Sequence, residues 1–292
     1  MKDIIVIVGP TGVGKTKLSV ELAKRLDAEI INGDSVSIYK DLNIGSAKPT
    51  IEEREGIPHH LIDIRDVEEE YSVFHYQKDV RKLINEINSR GKRIIIVGGT
   101  GLYIKAALYH YEFSENSFQD KEFLEYTNEE IVKEIQKYIP DYDGDIHNRK
   151  RLVRFLNKLE HHEEISHHKD ELLYPIKVIG LTTDRDLLYE RIHERVDHML
   201  EDGLVKEVES LKEKYKTSRV LNTAIGYKEF YDYFYHHKSL EEVVDEIKMN
   251  SRRYAKRQYT FFKHQFPTTW FMTDFTDFSK TVEEVYQYIK EA

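Results

Sequence analysis

Residues Gly9-Pro10-Thr11-Gly12-Val13-Gly14-Lys15-Thr16 carry the spacing G-x-x-x-x-G-K-[ST], which binds phosphate for mechanical reasons. The glycines let the backbone wrap a diphosphate with its N–H groups pointing inward. Lys15 neutralises the outer phosphate, and the Thr16 hydroxyl suits Mg²⁺. Asp34 ends the next apolar run, where a carboxylate could accept a proton from an acceptor substrate. A helix N-cap or a ligand near Mg²⁺ is the alternative. Ser35 beside it reads first as a turn or capping residue. Thr100, within Gly98-Gly99-Thr100-Gly101, either hydrogen-bonds a ligand or starts a helix. Glycines at that strand end would let a ligand approach the backbone closely.

An ATPase or GTPase places a carboxylate at the end of a buried strand to help hold Mg²⁺. Here the best such strand, Ile94 to Val97, runs into glycines, so the site suits a diphosphate and an organic acceptor. Two clusters of cations stand out. Lys248, Arg252, Arg253, Lys256, Arg257 and Lys263 are interleaved with aromatics and contain no acid; Arg149, Lys150, Arg151, Arg154 and Lys158 form the second cluster. Stacked at i,i+4 on a helix, Lys248, Arg252 and Lys256 would repel one another unless an anion lay across them. A solvated face is the plain reading, and a footprint for nucleic-acid phosphates the functional one. The histidine pairs His59-His60, His161-His162, His167-His168 and His236-His237 chelate poorly, because adjacent side chains diverge. Tyr39 and Tyr103 are candidates to stack on a base or a prenyl chain.

The elements that must position these residues alternate strand and helix. Strands are expected at 4–8, 28–32 and 93–97, and helices at 15–26 and 72–89. Buried strands in βα units imply a parallel sheet with helices on both faces. The loops 9–16, 33–35 and 98–101 then meet at the carboxyl ends of the strands, where such sheets bind ligands. Residues 113–172 lack a convincing strand and look helical at 128–138 and 148–159, so they read as an inserted helical domain. Segments 1–112 and 173–292 would form the core. The later part predicts a strand at 176–181 and a helix at 184–201 with Leu187, Leu188, Ile192, Val196 and Met199 buried. Gly203 would end that helix. Helices at 204–215, 225–235, 240–263 and 282–289 and a strand at 269–272 complete the reading.

Composition fits this picture. The 292 residues are 40% hydrophobic and 33% charged, as in a globular protein. No apolar run approaches the ~20 residues of a membrane span, and the N-terminal run is a strand, not a signal peptide. Zero cysteines exclude disulfides and thiolate chemistry and suit a cytoplasmic protein. A net charge of −9 taken alone argues against nucleic acid, which makes the acid-free clusters more informative.

The motifs resemble those of the tRNA dimethylallyltransferases. The matching stretches are GPTGVGKT at 9–16, DSVSIYKDLNIGSAKP at 34–49, GIPHHLIDI at 56–64 and GGTGLYIKA at 98–106, with RVDHMLEDGLVKEV at 195–208, AIGYKE at 224–229 and SRRYAKRQYTFFK at 251–263. They span nearly the whole chain in order. Ser37, Ser46, Phe261-Phe262-Lys263 and a short stretch at His147-Asn148 depart from the usual pattern. The resemblance implies a P-loop NTPase-like α/β core and transfer of a dimethylallyl group from dimethylallyl diphosphate to N6 of the adenine 3′ of the anticodon, in tRNAs reading codons that begin with U. Gly9 to Thr16, with Mg²⁺ on Thr16, would grip the diphosphate. Asp34 would take the N6 proton, with Lys15, Thr16 and Thr100 completing the reacting site. Asp34, Ser35, Val36, Ser37 and Thr100 would meet the adenine and its neighbours. Lys150, Arg151, Arg154, Arg252, Arg253, Lys256 and Arg257 would hold the tRNA backbone. The expected state is a cytoplasmic monomer. Prenylation of free AMP or ADP, and an ATP-dependent small-molecule kinase, are the alternatives.

Overall fold

The computed structural model describes residues 2–111, 123, 125–160 and 171–291. The boundary expected at 112/113 and the pairs His161-His162 and His167-His168 lie outside the described residues, as does the side chain of Lys150. The chain divides into two compact units, one of Met1–Tyr109 with Leu172–Ala292 and the other of His110–Glu171.

In the larger unit, β1 (Ile4–Val8), β2 (Ala28–Asn32), β3 (His59–His60), β4 (Arg93–Val97), β5 (Ile176–Thr182) and β6 (Thr268–Met272) form one sheet in the order β3-β2-β4-β1-β5-β6. Every neighbouring pair is parallel. β1 is central and wholly buried, which is why its five residues are all branched and apolar. Its alternation sends Ile4, Val6 and Val8 to one apolar layer and Ile5 and Ile7 to the other. The first layer is closed by α3 (Val73–Ser89), α4 (Gly101–Leu108) and part of α10 (Leu240–Gln265). The second is closed by α1 (Lys15–Leu26), α7 (Arg185–Glu201) and α11 (Phe278–Glu291). Burying each such Ile is worth about 1.5–3 kcal/mol, so β1 anchors both layers.

The smaller unit pairs α5 (Asn128–Tyr138) with α6 (Arg149–Glu160) over a core of Phe123, Ile131, Ile135, Leu152, Val153 and Leu156. Thr127 closes a capping box with Glu130 at the start of α5. Arg149 donates to the Tyr126 carbonyl at 2.6 Å and to the Phe123 carbonyl at 2.5 Å, so this cation ties the unit together.

Several boundaries differ from the sequence reading. The buried stripe of α7 is Leu188, Ile192 and Val196, a strict i,i+4 row; Leu187 is exposed and Met199 half-buried. Residues 204–215 split into α8 (Leu204–Ser210) and a short turn of tighter helix. Residues 225–229 are turns, because Gly226 takes a left-handed φ of 90° and receives the buried Glu229 carboxylate on its N–H. Helix α9 therefore covers only Phe230–Tyr235. The edge strand β3 and the one-turn α2 (Ile51–Arg54) carry too few residues to show a period.

The strand ends interlock through glycine. The Gly33 N–H donates to the Val97 carbonyl at 2.7 Å and the Thr100 N–H to the Gly33 carbonyl at 3.1 Å. A Cβ at Gly98 would sit 2.2 Å from the Gly33 carbonyl carbon, a clash with backbone. Gly98→Ala is expected to cost about 3 kcal/mol or to prevent folding. Gly203→Ala, where φ is 99° but the space is open, should cost only about 1 kcal/mol. Urea midpoints at unchanged slope measure both.

Candidate active site at the carboxyl ends of the strands

The phosphate loop leaves β1 and enters α1. Gly9 has φ 140°, and a Cβ there would stand 2.3 Å from the Leu181 carbonyl oxygen. Gly14 occupies the N-cap of α1 with φ 89° and supplies no side-chain acceptor, which leaves the first-turn N–H groups uncapped, as a candidate anion site requires. The Lys15 Nζ donates to the Pro10 carbonyl at 2.6 Å. Desolvation lowers the Lys15 pKa to about 7, with the Arg195 charge adding to the effect and Asp34 opposing it. The Thr16 hydroxyl has no hydrogen-bond partner among the described residues, whereas its carbonyl accepts from Ser19 at 2.7 Å.

Two arginines from α7 close the loop's outer side. Arg195 donates to the Thr11 hydroxyl at 2.5 Å, and Arg191 donates to the Gly12 carbonyl at 3.1 Å while lying 3.9 Å over the Phe275 ring. Burial lowers the Arg195 pKa, and Asp34 pulls it back up. Neither arginine was singled out from the sequence. The available signal was the i,i+4 pair of like charges on one helix face, which is unfavourable without a nearby acceptor or anion.

Asp34 is half-buried just beyond β2. Its Oδ1 accepts from the Val36 N–H at 2.9 Å, an Asx turn, so it is not a helix cap. Asn32 holds the segment from behind: its amide donates to the carbonyls of Asp34 and Leu61, and its Oδ1 accepts from the Asp34 N–H. Thr100 stands at the N-cap of α4 yet makes no capping bond. Its hydroxyl instead accepts from the Ser35 N–H at 3.0 Å and donates to the Ser35 hydroxyl at 3.3 Å. Ser37 is buried, and its carbonyl accepts from the Asp63 N–H. Val36 is half-buried against the core.

The glycines at the end of β4 serve the protein's own packing, not an approaching ligand. A Cβ at Gly99 would lie 1.9 Å from the Gln258 amide nitrogen, and one at Gly101 2.2 Å from the Phe261 ring. Tyr254, one turn before Gln258 on α10, is pushed up to about 12 by burial and by Asp34, while hydrogen bonds with Thr100 and Gln258 act downward. Tyr39 is a core residue, and the Tyr103 hydroxyl donates to the Tyr71 carbonyl.

The cationic helix is partly neutralised in space. Lys248 pairs with Asp197 of α7 at 2.6 Å, and Arg252 contacts His193 and the Tyr189 ring. Sequence spacing could not reveal acids on another helix. Arg253, Lys256 and Arg257 are exposed and have no carboxylate partner among the described residues. In the smaller unit Arg151 and Arg154 are exposed on α6. Among the described residues no three His, Asp or Glu side chains cluster as metal ligands, and no helix is long and apolar enough to cross a membrane.

A model of the IPP transferase family matches residues 37–265. The chain belongs to that family. A tRNA dimethylallyltransferase of Bacillus mycoides (strain KBAB4) is 46% identical over 309 residues, covering 99% of this chain and 95% of that protein. One from Anoxybacillus flavithermus (strain DSM 21510 / WK1) is 46% identical over 301 residues, covering 99% and 96%. The structure is similar to that of a tRNA isopentenylpyrophosphate transferase from Bacillus halodurans, with a TM-score of 0.79, 39% identity, and 100% and 96% of the two chains covered. A eukaryotic dimethylallyltransferase acting on tRNA gives a TM-score of 0.83 at 28% identity, covering 100% of this chain and 80% of that one. The fold common to these IPP transferases is the parallel α/β sheet described above.

The Lys15 environment has a direct consequence. An anion in the loop favours the charged amine, so its pKa must rise on binding. Affinity for pyrophosphate is therefore expected to weaken as pH rises above about 7. NMR titration of lysine side chains should show one midpoint near 7 that moves upward when pyrophosphate is added. A Lys15 midpoint at the ordinary ~10.4 would refute this.

Proposed function

We propose that the chain transfers the dimethylallyl group of dimethylallyl diphosphate to N6 of the adenine 3′-adjacent to the anticodon, in tRNAs reading codons that begin with U, giving N6-(dimethylallyl)adenosine. One observation carries this reading. The Asp34 carboxylate interacts electrostatically with Lys15 of the phosphate loop and with Arg195 of α7, which supports a base beside a leaving-group site. The relatives' names supply the acceptor class.

The chemistry follows from these groups. The adenine N6 lone pair attacks the allylic carbon, the carbon–oxygen bond breaks, and its electron pair leaves on the diphosphate. Lys15, Arg195 and the loop N–H groups stabilise that departing charge, which governs most of the barrier. The N6 lone pair is delocalised into the ring, so Asp34 takes up the N6 proton as the bond forms. The Thr16 hydroxyl suits Mg²⁺, which takes hard oxygen ligands and completes its shell with phosphate oxygens and water. Bound there, Mg²⁺ would add positive charge at the leaving group. The target base is stacked in the anticodon loop and must be extruded to reach Asp34.

Thr100 and Ser35, joined through their hydroxyls, would line the acceptor side with Val36 and the buried Ser37. Arg253, Lys256 and Arg257, with Lys150, Arg151 and Arg154 of the helical insertion, would contact tRNA phosphates. Arg252, which also contacts His193 and the Tyr189 ring of α7, would join them. The enzyme would act as a cytoplasmic monomer, which its cysteine-free composition suits.

Labelled dimethylallyl diphosphate supplied with an anticodon stem-loop, AMP or ATP alone tests the reading. Label must enter the stem-loop; label in AMP alone, or ATP consumption without prenyl transfer, would replace it. Asp34→Asn keeps the Oδ1 acceptor for Val36 and removes the charge. It should lower kcat roughly 10²- to 10⁴-fold while leaving tRNA affinity near wild type. Lys256→Ala with Arg257→Ala should weaken tRNA binding and flatten its salt dependence by about one unit of slope per lost phosphate contact.

A further inference from the structure

Helix α10 is where the donor and acceptor sides of the site are joined. Gln258 lies on its inward face and is 4% exposed. Its Oε1 accepts from the Thr11 N–H of the phosphate loop at 3.1 Å. Its Nε2 donates to the Gly99 carbonyl, beside Thr100, at 3.1 Å. The amide is seated directly on the backbone, since a Cβ at residue 99 would meet that Nε2 at 1.9 Å. One side chain thus spans the loop meant for the leaving group and the strand end meant for the acceptor.

The chemistry of this bridge is specific. It must accept at one end and donate at the other, which an amide does. A carboxylate would satisfy Thr11 and set a negative charge against the Gly99 carbonyl. Leucine, of similar size, would leave the part-buried Thr11 N–H and the buried Gly99 carbonyl without this partner. Mere filling of space would need no such polarity.

We propose that Gln258 is a positioning residue for the group transfer, its amide fixing the separation between the diphosphate loop and the acceptor strand end. Displacement at carbon requires nucleophile and leaving group to be held in near-attack geometry, and a shift of about 1 Å costs roughly a hundredfold. Exposed Arg253, Lys256 and Arg257 are on the same turns of the helix, so tRNA docking and donor geometry share one rigid element. The inference rests on the prenyl-transfer reading and is separable from it.

Wild type, Gln258→Leu and Gln258→Glu are compared with labelled dimethylallyl diphosphate and an anticodon stem-loop between about pH 5.5 and 8. Gln258→Leu should lose roughly tenfold to a hundredfold in kcat with tRNA affinity unchanged. Gln258→Glu should be equally impaired at high pH and recover, relative to wild type at the same pH, as pH falls. A protonated carboxyl both donates and accepts, and burial raises its pKa into that range. The leucine variant's ratio should stay flat. A wild-type kcat in Gln258→Leu, or a Gln258→Glu ratio that ignores pH, overturns the inference. If the leucine variant does not fold, the glutamate profile decides alone. If wild type transfers no prenyl group, the functional reading falls, and the same ratio measured on pyrophosphate affinity still decides the role of Gln258.

Discussion

The approach of two backbones, at Gly33 and Gly98, sets the geometry on which the site depends. With no side chain at either residue, the ends of β2 and β4 pass within contact distance and exchange hydrogen bonds beyond the sheet proper. That contact brings Ser35, next to Asp34, against Thr100. It also fixes both against β1, because the Gly98 N–H donates to the Ile7 carbonyl at 3.2 Å, two residues before the phosphate loop begins. Three loops far apart in sequence are thereby locked to one another through main chain, which varies little with side-chain motion. Asn32 and Gln258 then fasten the two outer loops from behind.

Charge is organised at two scales. The whole molecule is acidic, at −9, yet its cations are sorted by partner. Lys248 and Arg252 are engaged by α7, Arg149 by backbone carbonyls, and Arg191 and Arg195 by the phosphate loop itself. Arg151, Arg154, Arg253, Lys256 and Arg257 are exposed without a carboxylate partner among the described residues, where a polyanion can displace counterions. An acidic remainder would discourage indiscriminate binding to nucleic acid and would confine affinity to surfaces whose cations have no carboxylate partner among the described residues.

The strands and long helices were legible because their periods are long enough to register. β1 and β4 carry apolar runs, α1 and α3 carry apolar stripes, and the phosphate loop has its own spacing. What was not legible involves partners distant in sequence. The acid-free run of α10 hid the neighbours Asp197 and His193. The glycines after β4 suggested room for a ligand, whereas Gln258 and Phe261 fill that room. Gln258 itself gave no local sign of its bridge, since its two backbone partners lie 247 and 159 residues away. Arg191 and Arg195 were legible only as an unfavourable pair on a helix whose apolar stripe drew the attention. Short elements such as β3 and α2 carry too few residues for any pattern.

The lysine of the phosphate loop has a second identity as a nucleophile. An exposed ammonium is protonated at neutral pH and inert toward acylating reagents. Burial lowers the Lys15 pKa to about 7, so its amine gives up a proton far more readily than an exposed lysine does. Electrophiles that modify amines at neutral pH would therefore find it early, and an occupied loop would shield it. The desolvation that would prepare this side chain to meet a diphosphate would also make it a chemical handle, through which occupancy of the loop could be followed without watching the reaction.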